Sequence, residues 1–188
     1  GTHKTGSTTI QKSLIKNKKN LKLEKTIYIT KFPGSAKLKD IETYDSDLIK
    51  ESYYDLKNKT KKYNDSYKIL LSYEGFSGNQ YMGYQNLDFL AKNLKEITKD
   101  FDTKIIVYIR RQDDLLESLY VQSIHEGLSH SFNDFISIYY KEGYFNYSNI
   151  LKTWENYFGR PNITVRRYDR KYLVNKNIID DFGEIINS

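Results

Sequence analysis

The sequence predicts an α/β fold built on parallel strands, and three observations point there. Short apolar runs with strand character alternate along the chain with segments whose apolar residues recur at helical spacing. One of those runs, "TKIIVYIRR", is apolar nearly throughout, as a strand buried on both faces of a parallel sheet must be. Strands separated by helical segments are joined by crossovers, which makes βαβ units of them.

The elements follow in order. After the opening turn "GTHKTGSTT", Ile10, Leu14 and Ile15 mark one helix face, and the lysine-rich remainder faces water. A strand "TIYIT" over 26–30 ends at the turn signal "FPGS". A polar, Tyr-rich helical stretch over about 46–63 leads to a second apolar run, "YKILLSYE", which ends in Glu74 and Gly75. Leu87, Leu90, Leu94 and Ile97 carry the helical period through 86–99. "TKIIVYIRR" then forms the strongest strand, and "DDLLESLYVQSI" after it is amphipathic at helical spacing. Two further helices, over 132–140 and 147–158, precede a last strand "NITVRRYD" introduced by the turn "GRPN". No internal repeat or low-complexity linker interrupts the pattern.

Composition narrows the function. The 188 residues suffice for one domain, 1–188, with a sizeable core. The formal charge of +6 favours an anionic ligand, although clusters such as "KNKKNLKLEK" and "NKTKK" read first as solvated faces. With no cysteine, thiolate metal sites and disulfides are excluded, and the three histidines lack metal-ligand spacing. No run approaches the length of a transmembrane helix, and the expected location is the cytoplasm. Membrane association and oligomeric state are left open, since any signal or anchor would lie before Gly1.

In an open α/β sheet, ligands bind at the carboxyl ends of strands, and a glycine-containing turn that enters a helix offers free N–H groups and the positive end of the helix dipole. The opening turn is therefore a site for phosphate or sulfate. Gly1 and Gly6 have the spacing of the glycines in the ATP-binding loop G-x-x-x-x-G-K-[ST], which makes a nucleotide-dependent kinase the competing enzyme. In that loop a lysine follows the second glycine; here Ser7 stands there and the lysine is Lys4, inside the loop. The best strand also ends in Arg110 and Arg111 rather than in a magnesium-binding acid. From another class, a nucleic-acid-binding module would use the basic excess and the 18 tyrosines, but the basic residues form no single stripe and no such motif is present, so no nucleic-acid partner is expected.

"HKTGSTTIQ" resembles the 5'-phosphosulfate loop of sulfotransferases that use 3'-phosphoadenosine 5'-phosphosulfate (PAPS). "VYIRRQDDLLESLY" is similar to their 3'-phosphate motif, an arginine at a strand end with a serine eight positions on, here Arg110 and Ser118. "YSNILKTWENYFGRPNITVRRYD" is similar to the later helix–strand segment of bacterial members. The resemblance implies a P-loop-like three-layer α/β fold with a parallel sheet. It also implies a truncated core, with the first strand missing from this chain and no C-terminal segment of the kind that closes over the nucleotide. It further implies transfer of a sulfuryl group from PAPS, leaving 3'-phosphoadenosine 5'-phosphate (PAP), to a hydroxyl of a small molecule or carbohydrate, with no metal.

The residue types suit that chemistry. Lys4 stabilises charge that builds on the leaving oxygen, while backbone N–H groups over 5–8 and the hydroxyls of Ser7, Thr8 and Thr9 hold the 5'-phosphate group; Thr5 and Gly6 complete the loop. Arg110, with Arg111 as its alternative, and Ser118 grip the 3'-phosphate. The resemblance implies a glutamate or histidine base near "SYEGFSG". Glu74 is the first choice, against a structural reading in which it caps a loop or pairs with a lysine. His3, beside the loop, is a further candidate for contact with the sulfuryl group, against a structural hydrogen bond. His125 and His130 read as exposed loop residues, Trp154 and Phe158 as core, and Tyr139, Tyr140, Tyr144 and Tyr147 as core packing or the lining of an acceptor cleft.

Overall fold

The computed structural model describes residues 2–30, 46–80, 83–141 (139–141 by backbone alone) and 146–187. The turn signal "FPGS" and the side chains of Tyr139, Tyr140 and Tyr144 lie outside the described residues. Helices α1 (Ser7–Lys16) and α2 (Lys18–Leu23) lead to strand β1 (Thr26–Ile29), and α3 (Ser46–Thr60) leads to β2 (Lys68–Leu71). Helix α4 (Leu87–Ile97) precedes β3 (Ile105–Ile109); α5 (Gln112–His125), α6 (Phe132–Lys141) and α7 (Tyr147–Phe158) then precede β4 (Ile163–Arg167), and α8 (Ile178–Asn187) comes last.

All the described strand pairs are parallel. β1 lies beside β2 with Thr26 opposite Lys68 and Ile29 opposite Leu71, and β3 lies beside β4 with Ile105 opposite Ile163 and Ile109 opposite Arg167. The sequence predicts one parallel sheet; the described strands form two separate parallel pairs. The chain is thus mixed α/β with short parallel sheets.

Side-chain alternation along each strand divides the core. From β3, Ile106 and Tyr108 join Tyr28 of β1 and Leu70 of β2 in a cluster with Ile10 and Leu14 of α1 and with Ile178 and Phe182 of α8. On the opposite side, Ile105, Val107 and Ile109 of β3 pack with α4, α5 and α7 through Leu94, Leu115, Leu119 and Trp154. Ile27 and Ile29 of β1 and Ile69 and Leu71 of β2 meet α3 and α4 through Leu56, Leu90 and Ile97. Helices therefore cover both faces of the strands, and one face of both pairs shares a single cluster with α1 and α8. Trp154 and Phe158 are core residues, as expected, and Tyr147 packs on the same cluster.

Three local differences from the sequence reading have physical causes. Ile15 is 54% exposed, because the buried stripe of α1 runs through Ile10 and Leu14 and the next residue is turned about 100° away from it. β2 stops at Leu71, with Lys68 exposed and Ile69 to Leu71 only half-buried, so Glu74 opens a short 3₁₀ turn (Glu74–Ser77) rather than ending a buried strand. Helix α8, which the sequence reading does not anticipate, is fastened to β3 by Asp181. That carboxylate is buried and accepts from Tyr108 Oη at 2.6 Å and from the Val174 N–H at 3.2 Å. Among the described residues no helix is long and apolar enough to cross a membrane.

Candidate functional site

The opening loop is fixed at both ends by hydrogen bonds to its neighbours. The N–H and Oγ1 of Thr2 both donate to the Tyr108 carbonyl, at 3.0 and 2.9 Å, and so tie the loop to the end of β3 beside Arg110. Past the loop, Ser7 Oγ donates to Glu74 Oε1 at 3.3 Å and Gln11 Nε2 reaches the Ser72 carbonyl at 3.5 Å, which ties the start of α1 to the segment after β2. The carboxyl ends of β2 and β3 thus flank one loop, and residues distant in sequence converge there.

The loop itself is tightly bent. Lys4 has φ 60° and Gly6 has φ 79°, both left-handed, and at Lys4 this costs about 1–2 kcal/mol because its Cβ crowds the following carbonyl. Turns of this hand let successive N–H groups face a common anion. Gly6 is also the N-cap of α1; no side chain caps this helix and its first turn holds no acidic residue. The first N–H groups and the positive dipole end are thereby met by no capping side chain and no acidic residue of the first turn. Gly6 is required for a second reason: a Cβ there would stand 3.0 Å from Tyr168 Cε2 and 3.2 Å from Ile178 Cγ1.

A cleft of about 410 Å³ opens at this loop. His3, Lys4, Gly6, Ser7 and Thr8 from the loop and the start of α1, Arg110 and Ser118 from the end of β3 and α5, and Glu74 from the turn after β2 all line it, so eight of the sequence-predicted site residues meet in one cavity. Thr5 and Thr9 do not line it. Thr5 is buried and its Oγ1 donates to the Thr2 carbonyl at 2.5 Å, bracing the loop from within, and Thr9 is exposed, one helical step beyond Thr8.

The two arginines separate as neighbours at a strand end do. Arg110 is half-buried and faces the cleft; Arg111 is exposed and pairs with Asp113 through Nε at 3.1 Å and a second, shorter contact. His125 and His130 are exposed and line no part of the cleft.

Two cleft residues escape the sequence reading. Gln122 lies one helical turn beyond Ser118 on α5, a spacing that could have revealed it, and its Nε2 donates to Glu126 at 2.6 Å. Gln80 follows the 3₁₀ turn with no periodicity or motif to mark it, and it is only 6% exposed. Its Oε1 is buried without a hydrogen-bond partner, as is His3 Nδ1.

Electrostatically the cleft is dominated by cations, with Glu74 as its carboxylate. Burial holds the His3 imidazole below its ordinary range, with Lys4 adding to the effect and Glu74 opposing it, so the ring is neutral near pH 7. The His3 ring lies 5.8 Å from that of Tyr84, whose hydroxyl burial pushes well above its ordinary range. The Tyr147 hydroxyl is pushed up to about 12 by burial, so both tyrosines remain protonated donors.

Comparison with known proteins adds little. No protein-family model matches the chain, and no solved structure matches it. The chain is similar to an uncharacterized protein of Archaeoglobus fulgidus, 38% identical over 100 residues that make up 50% of this chain and 26% of that relative. It therefore spans about a quarter of the length of the curated relative it matches.

Proposed function

We propose that the chain is a sulfotransferase domain, over 1–188, with a P-loop-like three-layer α/β fold, and that it moves a sulfuryl group from PAPS to a hydroxyl acceptor. The observation that carries this reading is the convergence of two junctions that lead into helices, each with a cationic side chain, on one cleft. Lys4 and the uncapped start of α1 come from the first junction, and Arg110 with Ser118 from the second. A ligand with anionic groups at both its 5' and 3' ends fits that pair, whereas ATP offers nothing at the 3' position to Arg110. The residues also suit a donor held without metal, since charge can be met by Lys4, Arg110 and N–H groups alone.

When bound, PAPS supplies the sulfuryl group and a phosphate leaving group. Arg110 and Ser118 hold the 3'-phosphate through charge-assisted and neutral hydrogen bonds. The N–H groups at the start of α1, with the hydroxyls of Ser7 and Thr8, hold the 5' end and orient it. Glu74 takes the proton of the acceptor hydroxyl as its oxygen bonds to sulfur. Lys4 neutralises the charge left on the bridging oxygen as the bond from that oxygen to sulfur breaks. Neutral His3 is available as a hydrogen-bonding group to the sulfuryl oxygens.

A calorimetric titration with PAP, ATP and adenosine 5'-monophosphate, each with and without magnesium, tests the reading. PAP should bind more tightly than either competitor, and magnesium should not alter its affinity. Preference for ATP with a magnesium requirement would replace the sulfotransferase with a kinase. Salt-dependent binding of arbitrary oligonucleotides without PAP binding would make the chain a nucleic-acid-binding module.

A further inference from the structure

The two lysine clusters of the sequence, "KNKKNLKLEK" and "NKTKK", contribute nothing to the cleft, and the fold brings them together. β1 and β2 run parallel with Thr26 opposite Lys68, and the Lys68 N–H donates to the Lys25 carbonyl at 2.8 Å, so the segments that enter the two strands lie side by side. One of those segments is α2 with Lys25, and the other is 61–67 after α3. Parallel pairing thus gathers Lys19, Lys22, Lys25, Lys61 and Lys62, all exposed, at the amino ends of the pair. The cleft lies at the carboxyl ends of β2 and β3, at the far end of the ten-residue α1, which is about 15 Å long.

Among the described residues no carboxylate forms an ion pair with any of those five lysines. Glu24 and Asp65 are the acids of the two segments, and both are exposed. Helix α2 buries only Leu21, so Lys19, Lys22 and Leu23 turn outward. Leu23 is 84% exposed, the most exposed large apolar side chain among the described residues, and Ile15 near the end of α1 is exposed as well. Aliphatic side chains set among unpaired lysines match an anionic lipid surface: the ammonium groups meet the head groups, and the aliphatic groups enter the layer beneath them.

A nucleic acid fits this surface less well. The two segments contain no arginine, so they lack the planar fork that grips phosphates and base edges and offer only ammonium groups on flexible stems. Their tyrosines, Tyr63 and Tyr67, are half-buried with their rings packed together at 5.0 Å, and Lys62 lies over the Tyr63 ring, so these rings are engaged with protein rather than open to stacking bases.

We propose that α2 and the amino ends of β1 and β2 form a surface that docks on membranes containing anionic lipid, with Lys19, Lys22, Lys25, Lys61 and Lys62 supplying the attraction and Leu23 the insertion. This surface is independent of the sulfotransferase reading. Because α1 separates it from the cleft, a docked chain keeps the cleft clear of lipid.

The test is flotation of the full chain with vesicles of phosphatidylcholine alone and of phosphatidylcholine mixed with phosphatidylserine, with a duplex oligonucleotide of arbitrary sequence titrated in parallel. Wild type should bind the mixed vesicles and not the neutral ones, and more weakly as salt rises. Lys19→Gln with Lys22→Gln, and Lys61→Gln with Lys62→Gln, should each weaken binding by about 25-fold, or about fivefold per lysine near an anionic surface. Leu23→Ser should weaken it by about tenfold, the scale of burying one leucine side chain. Lys152→Gln with Lys171→Gln removes the same charge from exposed positions on α7 and after β4, and should change binding by less than about threefold. Fluorescence of the buried Trp154 checks that each variant is folded. Absence of wild-type binding to the mixed vesicles, equal binding to neutral ones, an equal loss in the Lys152/Lys171 pair, or unchanged binding in the folded lysine pairs or in Leu23→Ser would overturn the proposal. Binding of the oligonucleotide in preference to vesicles would also overturn it and give the surface to nucleic acid.

Discussion

Replacing Gly6 by alanine tests how the opening loop is built, because the substitution makes two separable demands. The backbone at Gly6 has φ 79°, and an L side chain in that region costs about 1–2 kcal/mol. The new methyl would also stand 3.0 Å from Tyr168 Cε2 and 3.2 Å from Ile178 Cγ1, so the neighbours must give by a few tenths of an ångström. Tyr168 cannot retreat freely, since its N–H donates to the Ile109 carbonyl at 2.7 Å, and Ile178 is the buried first residue of α8. Overpacking of this kind costs about 1–3 kcal/mol, with the half-buried Tyr168 ring able to tilt and keep it near the lower end. The sum is about 2–4 kcal/mol.

Gly127 supplies the control, because it also has a left-handed φ, 94°, but a Cβ there meets nothing within 4 Å. Gly127→Ala should therefore show the backbone cost alone, about 1–2 kcal/mol. Equilibrium unfolding in urea, followed by fluorescence of the single, buried Trp154, reads both variants. The folded Gly6→Ala protein should bind PAP more weakly, since the loop must open. If Gly6→Ala costs no more than Gly127→Ala, the loop is not pressed against Tyr168 and α8.

Other consequences are as direct. Lys4→Met should slow sulfuryl transfer far more than it weakens PAP binding, because the charge it meets grows in the transition state; equal losses in kcat and in PAP affinity would give Lys4 a binding role only. Glu74→Gln should lower kcat by about 10²–10⁴-fold with PAP affinity unchanged, and a near wild-type rate would move the base elsewhere, His3 first. Because Ser7 Oγ donates to Glu74, the same variant should change the thermal midpoint little, as the amide oxygen still accepts that bond. Asp181→Ala should cost about 2–4 kcal/mol in urea unfolding by leaving the buried Tyr108 hydroxyl and the Val174 N–H without an acceptor; a loss under about 1 kcal/mol would mean that α8 is held by its apolar residues and by the Lys68 and Arg166 contacts to its second half.

Much of this was legible before the structure. Leu87, Leu90, Leu94 and Ile97 declare α4 because a buried helix face must repeat at its own pitch, and all four are buried. The run "IIVYI" declares β3 because both its faces are covered, which alternation then distributes to two clusters. Lys4, Ser7 and Thr8 stand out because a glycine-containing turn that enters a helix is a place for an anion, whereas Arg110 and Ser118 follow only from the resemblance to a 3'-phosphate motif; the cleft brings all five together. Other features depend on tertiary placement. Gln80 enters the cleft only because the 3₁₀ turn from Glu74 to Ser77 carries it there, and a lone glutamine after a turn has no local signature. The role of Thr5 as an internal brace follows from the left-handed bend at Lys4, which the residue type does not announce. α8 is hard to read from the sequence because its apolar residues lie among acids and its hydrogen-bond partner, Tyr108, is more than seventy residues away in sequence.

The central claim is that one cleft holds both ends of a nucleotide phosphorylated at its 5' and 3' positions, and calorimetry of Arg110→Ala tests it most directly. Only PAP carries the 3'-phosphate that Arg110 is proposed to meet; adenosine 5'-monophosphate does not. The account predicts that the substitution weakens PAP by about 10- to 150-fold, the equivalent of about 1.5–3 kcal/mol for a hydrogen bond to a charged group, and leaves the affinity for adenosine 5'-monophosphate unchanged. Arg111→Ala, which removes a side chain paired with Asp113 at the surface, should alter neither. Equal weakening of both ligands by Arg110→Ala, or no weakening of PAP, would contradict the two-ended site.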